Sequence, residues 1–172
     1  MVTCLQLARA FSAIANGGEL LRPWIIDRVF DADGQQIYRG RRQRVRRVLS
    51  RSVAREFIDE ALVNVVARGT GKRCRLDRWQ VFGKTGTGQV GSRSGYIEGA
   101  YTATFVGGAP AWRPAVVCAV SIYRPDKAKG YTGGKVSAPC VRQVLARTLP
   151  YLDVPPDGEV GPIRAAATTG RR

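Results

Sequence analysis

Apolar side chains recur at the spacing of a helix face in three stretches of the chain. These predicted helices cover residues 3–16, a segment that begins after Ser50 or Ser52 and ends at Gly69, and residues 137–149. At the start of the first helix, Thr3 and Gln6 have the spacing of a capping box, in which each side chain accepts a hydrogen bond from the backbone N–H of the other residue. The pattern therefore predicts helices that pack through one apolar face.

Runs of β-forming residues between these helices predict strands. The predicted strands are residues 21–30, 35–38, 79–89, 100–106 and 115–123. A hairpin turn at 31–34 connects the first two, and a loop rich in Gly and Ser at 90–99 connects the third and the fourth. Residues 115–123 are apolar on both faces, so this strand is expected to be central, with helices covering it. Short connections make the last three strands an antiparallel meander, and the predicted fold class is α+β.

Charge along the chain is strongly uneven. The 172 residues include 28 Lys and Arg against 13 Asp and Glu, a formal charge of +15. Residues 39–47 hold six arginines, which predicts a solvated loop. The alternative is a non-catalytic basic module in which Arg39 to Arg47 contact an anionic polymer or a membrane surface. No aromatic residue interleaves this run, so a base-stacking platform for nucleic acid is not indicated.

The composition also limits the possible chemistry. The chain has no histidine, which excludes Ser-His-Asp triads and most zinc sites. Its four cysteines form no Cys-x-x-Cys pair, so neither a metal nor another cofactor is expected. Cys4, Cys118 and Cys140 lie in apolar runs and are predicted to act as small hydrophobic residues.

The most distinctive stretch is the strand that ends in Lys84-Thr85-Gly86-Thr87. Alternate side chains of a strand share a face, so Thr85 and Thr87 point the same way, whereas Lys84 must curl along the strand to reach their side. Gly86 leaves room for another backbone. Such an edge suits an extended peptide that adds as a further strand, with its carboxylate held by the hydroxyls and the lysine. On these four residues alone, an ordinary strand-to-turn junction explains the sequence equally well.

Several other motifs occur in a fixed order around this strand. They are Thr3-Cys4-Leu5-Gln6, Asn16-Gly17-Gly18, Gly69-Thr70-Gly71, Gly88-Gln89 after the strand, residues 100–107 (AYTATFVG), Ala109-Pro110-Ala111 and residues 131–139 (YTGGKVSAP). In this order they resemble the C-terminal part of the transpeptidase domain of class B penicillin-binding proteins, above all the cell-division type. The resemblance covers residues 1–152, and residues 153–172 are expected to be a disordered tail.

The resemblance implies a fold and a set of roles. The fold would be that of penicillin-binding transpeptidases and serine β-lactamases, of which this chain would carry three of five sheet strands. Lys84 would add positive potential to the active site, and Thr85, Gly86 and Thr87 would bind the substrate's terminal carboxylate region. The backbone N–H of Thr87 would be half of the oxyanion hole.

The implied partners are the D-Ala-D-Ala stem peptide of peptidoglycan, β-lactams, the N-terminal part of the domain and cell-division proteins. Such enzymes act on the outer face of the cytoplasmic membrane, where a membrane anchor holds them. The sequence shows no equivalent of this anchor.

One departure from the family pattern is decisive for activity. The serines are at positions 12, 50, 52, 92, 94, 121 and 137, and none begins the Ser-x-x-Lys or Ser-x-Asn motif that supplies the nucleophile and the proton relay. The chain is therefore expected to be inactive alone. A β-lactamase or β-lactam-sensor fragment is a further alternative, but the Thr-x-Leu-Gln helix and the YTGG segment argue against it.

Overall fold

The computed structural model describes residues 2–93 and 95–157. Its α-helices are α1 (Cys4–Ala15), α2 (Arg51–Glu56), α3 (Val63–Ala67) and α4 (Gly133–Tyr151), with a π-helical segment at Phe57–Leu62 and a 3-10 helix at Lys72–Cys74. Its strands are β1 (Glu19–Arg22), β2 (Arg28–Phe30), β3 (Gln36–Arg39), β4 (Gln43–Arg47), β5 (Phe82–Ser92), β6 (Gly95–Ala109) and β7 (Val116–Tyr123). The predicted α+β class is confirmed.

The main sheet is an antiparallel meander in the order β5-β6-β7, as predicted. In its register Thr85 lies opposite Phe105, and Phe105 lies opposite Val120. Helices α1 and α4 both contact β7, so its two apolar faces are covered. Its predicted central position is not seen within the described residues, where β6 is the middle strand because β7 pairs with β6 alone.

Two apolar clusters cover the two faces of the sheet. On one face, Phe105 packs with Val141 and Leu145 of α4, and all three are fully buried. On the other face, Phe82 packs with Ile58 and Leu62 of the π-helical segment and with residues of α1. Since side chains of β5 alternate between these faces, the clusters determine which way each polar residue of β5 points.

The predicted boundaries of α1 are nearly correct, and its start is formed as the sequence indicates. Thr3 Oγ1 accepts a hydrogen bond from the Gln6 backbone N–H at 3.2 Å, and Gln6 Oε1 accepts one from the Thr3 backbone N–H at 2.8 Å. The second predicted helix begins after Ser50, whose hydroxyl accepts a hydrogen bond from Val53 N. The last helix begins earlier than predicted, at Gly133 instead of Ser137.

The region between α1 and α2 differs from the prediction. The prediction of a single strand over residues 21–30 is wrong, because β1 ends before Pro23 and the next strand, β2, begins at Arg28. Only the β2–β3 hairpin follows the predicted turn. The arginine-rich segment 39–47 is not a loop throughout, because β4 pairs with β1 in antiparallel register. This pairing joins segments that are distant in sequence, and local composition does not report it.

The connection between β5 and β6 is also more regular than predicted. Residues 90–99 were expected to form a loop, but pairing continues to Ser92 and Gly95, which lie opposite each other. The Ser92 hydroxyl donates a hydrogen bond to the Gly95 carbonyl at 3.1 Å. Cross-strand hydrogen bonds therefore stabilise a segment whose Gly and Ser content favours a loop.

Residues 153–157, which the sequence assigned to a disordered tail, contact the folded domain. The Trp79 indole N–H donates to the Pro155 carbonyl at 3.0 Å. Asp157 accepts hydrogen bonds from the Gln80 backbone N–H and from the Trp112 indole. The rest of the predicted tail, residues 158–172, lies outside the described residues. Across residues 2–93 and 95–157, no helix has the length and apolar character needed to cross a bilayer.

The cysteines follow the sequence prediction only in part: Cys118 packs against the apolar cluster beneath α4 as predicted, whereas Cys4 and Cys140 do not. All four are free thiols, and Cys74, not Cys4 or Cys140, is the fully buried one. Cys4 and Cys140 are exposed despite their apolar neighbours, because each lies on the outer side of its helix. Burial raises the pKa of Cys74 to about 12, with a smaller contribution from Cys118 nearby.

Thiol reactivity should follow this burial. The thiolate is the reactive form, so Cys74 should remain unmodified by a soluble disulfide reagent at pH 8 in the native state, while Cys4 and Cys140 react. Mass spectrometry of peptides from native and urea-unfolded protein measures this difference. Rapid native labelling of Cys74 would contradict its placement in the core.

Replacing Leu145 by Ala should test the packing of α4 on the sheet. Removing a fully buried leucine side chain should lower the free energy of unfolding by about 2–5 kcal/mol. The matched control is Val144→Ala on the same helix, where the side chain is 43% exposed and the loss should stay below about 1 kcal/mol. Urea unfolding followed by circular dichroism gives both values, and equal losses would contradict this packing.

Candidate functional site

Strand β5 presents its hydroxyls and its lysine on opposite faces. Thr85 lies opposite Phe105, which belongs to the cluster beneath α4. Phe82 belongs to the cluster on the other face, and Lys84 shares that face because it is two residues further along. Thr85 and Thr87 are therefore directed toward the start of α4, as the alternation predicted.

Both threonine hydroxyls have a defined partner. The Thr85 hydroxyl forms a hydrogen bond of 2.8 Å with the hydroxyl of Thr70, which belongs to the Gly69-Thr70-Gly71 loop. The backbone N–H of Gly133, the first residue of α4, donates a 3.2 Å hydrogen bond to Thr87 Oγ1. Each hydroxyl retains the capacity for a further hydrogen bond.

The start of α4 lies directly against β5 and β6. A Cβ atom on Gly133 would be 2.0 Å from the Thr104 carbonyl oxygen and 2.6 Å from that of Gly86. A Cβ atom on Gly134 would be 2.1 Å from the Thr70 carbonyl oxygen. Glycine is therefore required at both positions, because any side chain would push the helix away from the strand. The helix N-terminus, with its partial positive charge, faces the threonines as a result.

An open cavity of about 330 Å³ lies between the Gly69-Thr70-Gly71 loop, β5 and α4. Its lining residues are Gly69, Thr70, Lys72, Arg73, Thr85, Thr87, Thr132, Gly134 and Lys135, which we call the threonine groove. Three of them are cationic, and within the described residues the lining contains no acidic side chain. The groove is thus suited to an anionic group that accepts hydrogen bonds.

Lys84 is exposed and lies outside the lining of the threonine groove. Its ammonium group donates a 2.9 Å hydrogen bond to the Thr85 carbonyl oxygen, so the side chain does curl along the strand. It does not join Thr85 and Thr87 in one cavity. Gly86 is exposed between the threonines, and β6 is the single strand partner of β5 in the described chain, so the other edge of β5 is open.

The arginine run is partly neutralised within the domain. Glu19 on β1 forms ion pairs with Arg42, Arg44 and Arg47 at 2.6, 3.6 and 3.0 Å. These pairs hold the β1–β4 ribbon together and reduce the charge that this surface offers to an anionic polymer or membrane. The arrangement does not favour the basic-module alternative.

Sequence reasoning did not assign the cationic lining residues of the threonine groove to the site. These are Lys72, Arg73 and Lys135. A signal was present, because Lys72 follows the Gly69-Thr70-Gly71 motif directly and Lys135 follows the glycine pair at 133–134. What the sequence does not give is the spatial contact between these two motifs.

Comparison with known proteins points to one family. The family described as "Penicillin binding protein transpeptidase domain" matches residues 1–146. The chain is 35% identical to Stage V sporulation protein D of Bacillus subtilis over 155 residues, which is 90% of the chain and 24% of that protein. It is 38% identical to the probable peptidoglycan D,D-transpeptidase PbpC of Pseudomonas aeruginosa, over 91% of the chain and 26% of that protein. The chain thus spans about a quarter of the length of these relatives.

Solved structures show the same similarity. Penicillin-binding protein 3 of Mycobacterium tuberculosis superposes with a TM-score of 0.80 at 29% identity, covering 94% of this chain and 37% of that one. The transpeptidase domain of penicillin-binding protein 3 from Burkholderia pseudomallei superposes with a TM-score of 0.73 at 36% identity, covering 91% and 44%. Because the family model matches residues 1–146 and the fold agrees with it, the chain belongs to the penicillin-binding protein transpeptidase family.

Proposed function

We propose that this chain supplies the substrate-binding wall of a peptidoglycan D,D-transpeptidase that acts in cell-wall synthesis. The observation that carries the proposal is the pair of hydroxyls, Thr85 and Thr87, on one side of a strand whose edge is open. Two relatives in sequence are named as probable peptidoglycan D,D-transpeptidases, and penicillin-binding protein 3 of Mycobacterium tuberculosis, which is similar in structure, was solved in complex with ampicillin.

The geometry supports binding of an extended peptide that ends in a carboxylate. A peptide beside β5 would form main-chain hydrogen bonds with the open edge, and Gly86 leaves space for it. Its terminal carboxylate would accept hydrogen bonds from the hydroxyls of Thr85 and Thr87. Hydrogen bonds to a charged group contribute about 1.5–3 kcal/mol each, which is enough to orient the peptide end.

The chemistry would be acyl transfer to a serine and then to an amine acceptor. As the serine attacks the D-Ala-D-Ala amide, the carbonyl oxygen becomes an oxyanion, and the backbone N–H of Thr87 would be one of its two donors. The amide C–N bond then breaks, the terminal D-Ala leaves with a proton on its amine, and the acceptor amine later displaces the serine. Lys84 would act from the opposite face of β5, with its ammonium near the strand edge. The nucleophile, its lysine base and the Ser-x-Asn relay would come from a part of the domain that this sequence does not contain.

The partners and the location follow from the same proposal. The substrate is the D-Ala-D-Ala end of a peptidoglycan stem peptide, and β-lactams compete for the same edge. The intact protein works on the outer face of the cytoplasmic membrane, together with the N-terminal part of its domain and with cell-division proteins.

Replacing either threonine by valine should weaken peptide binding. Valine keeps the shape of threonine but removes the hydroxyl, so Thr85→Val and Thr87→Val should each raise the Kd for acetyl-D-Ala-D-Ala by about 10- to 100-fold. NMR titration of the 172-residue chain measures Kd, and circular dichroism confirms folding. The matched control is Thr148→Val on α4, away from the groove, which should leave Kd unchanged. Equal Kd values for all variants would contradict the proposal.

Incubation of the chain alone with a fluorescent penicillin should give no covalent product. The acyl bond forms on the serine of a Ser-x-x-Lys motif, which the sequence does not contain. Denaturing gel electrophoresis shows whether fluorescence stays on the protein, with an intact class B penicillin-binding protein as positive control. A stable adduct on this chain would refute the proposed division of the active site.

A further inference from the structure

The threonine groove contains more positive charge than one peptide carboxylate requires. Lys72, Arg73 and Lys135 line the same cavity as Thr85 and Thr87. A single carboxylate would leave two of these three charges without a counter-charge. On the β1–β4 ribbon one acid, Glu19, is shared by three arginines, whereas within the described residues no acid at all lines this groove.

The cations are placed by structure on both sides of the groove. The Arg73 guanidinium donates a 3.2 Å hydrogen bond through Nη1 to the Lys135 carbonyl oxygen, which ties the 3-10 helix to the first turn of α4. Lys72 and Arg73 belong to that 3-10 helix, which is anchored by the fully buried side chain of Cys74. The remaining donors of the Arg73 guanidinium stay available to a ligand.

The stem of Lys135 has a fixed path. A Cβ atom on Gly130, whose φ is +119°, would lie 2.6 Å from Lys135 Cδ. Gly130 therefore allows both a backbone turn that other residues rarely adopt and the passage of the lysine stem across it. Lys135 lines the groove together with Lys72 and Arg73.

We propose that Lys72, Arg73 and Lys135 form a second anion subsite, which binds a second carboxylate of the peptide substrate next to the terminal one. This inference rests on the proposed function and specifies its substrate class as a peptide with two carboxylates. The cavity of about 330 Å³ is roughly ten times the ~30 Å³ that one water molecule occupies in the liquid, so it has room for a side-chain carboxylate beside the peptide end. The groove would then select a peptide by its second negative charge as well as by the shape of the peptide's C-terminus.

Two peptides that differ in one functional group test this subsite. Acetyl-L-Glu-D-Ala-D-Ala carries the second carboxylate, and acetyl-L-Gln-D-Ala-D-Ala carries a neutral amide of the same size. NMR titration of the 172-residue chain should give a Kd about two- to five-fold lower for the Glu peptide for each cation that it contacts. Raising the salt concentration should reduce this preference, since exposed charges are screened.

Variants of the lysines should identify the residues responsible. Lys72→Gln and Lys135→Gln should together reduce the preference for the Glu peptide to the about two- to five-fold that the remaining Arg73 alone supplies. Arg73 is left unchanged because it also supports the Lys135 carbonyl. Arg147→Gln removes a charge from the same helix outside the groove and should preserve the preference.

The outcomes separate the two proposals. Equal Kd values for the two peptides in the unmodified chain, with both values raised by Thr85→Val, would overturn the second subsite and retain the proposed function. A preference that is undiminished by the loss of both lysines would also overturn the subsite. Failure of the chain to bind either peptide would contradict both proposals.

Discussion

The structure depends on the close contact between the N-terminus of α4 and strands β5 and β6. Gly133 and Gly134 make it possible, since a Cβ atom on either would overlap a carbonyl oxygen of a neighbouring segment. The contact places a backbone N–H on the Thr87 hydroxyl and brings Lys135 to the edge of the groove. It also buries the apolar face of α4 on Phe105, so core packing and groove geometry have the same cause.

The basic side chains of the domain occur in two settings, one with a neighbouring acidic side chain and one without. On the β1–β4 ribbon, Glu19 neutralises arginines and stabilises a pairing between distant segments. In the threonine groove, cations from the 3-10 helix and from α4 converge without an acid in the lining described. Positive side chains therefore have a structural role on the ribbon, and in the groove they would bind the second carboxylate that we propose.

Local sequence signals predicted the helices, the meander and the Thr85–Thr87 face, because capping, periodicity and short connections act between near neighbours. They did not predict β4, since its pairing with β1 depends on a partner far away in the chain. Lys72 and Lys135 were missed for the same reason: each follows a recognisable glycine motif, but the folded structure alone brings the two motifs together. The resemblance implies that Lys84 adds positive potential to the active site; in the structure its ammonium lies on the Thr85 carbonyl, outside the lining of the threonine groove.

The hydrogen bond between the Thr70 and Thr85 hydroxyls has no fixed direction, because either oxygen can donate its proton. A bound carboxylate accepts only, so Thr85 must turn its proton toward that anion and accept one from Thr70 in exchange. Arrival of the ligand would thus set the polarity of a short hydroxyl chain, and each bond in such a chain strengthens the next. Thr70 would then contribute to affinity without touching the anion itself.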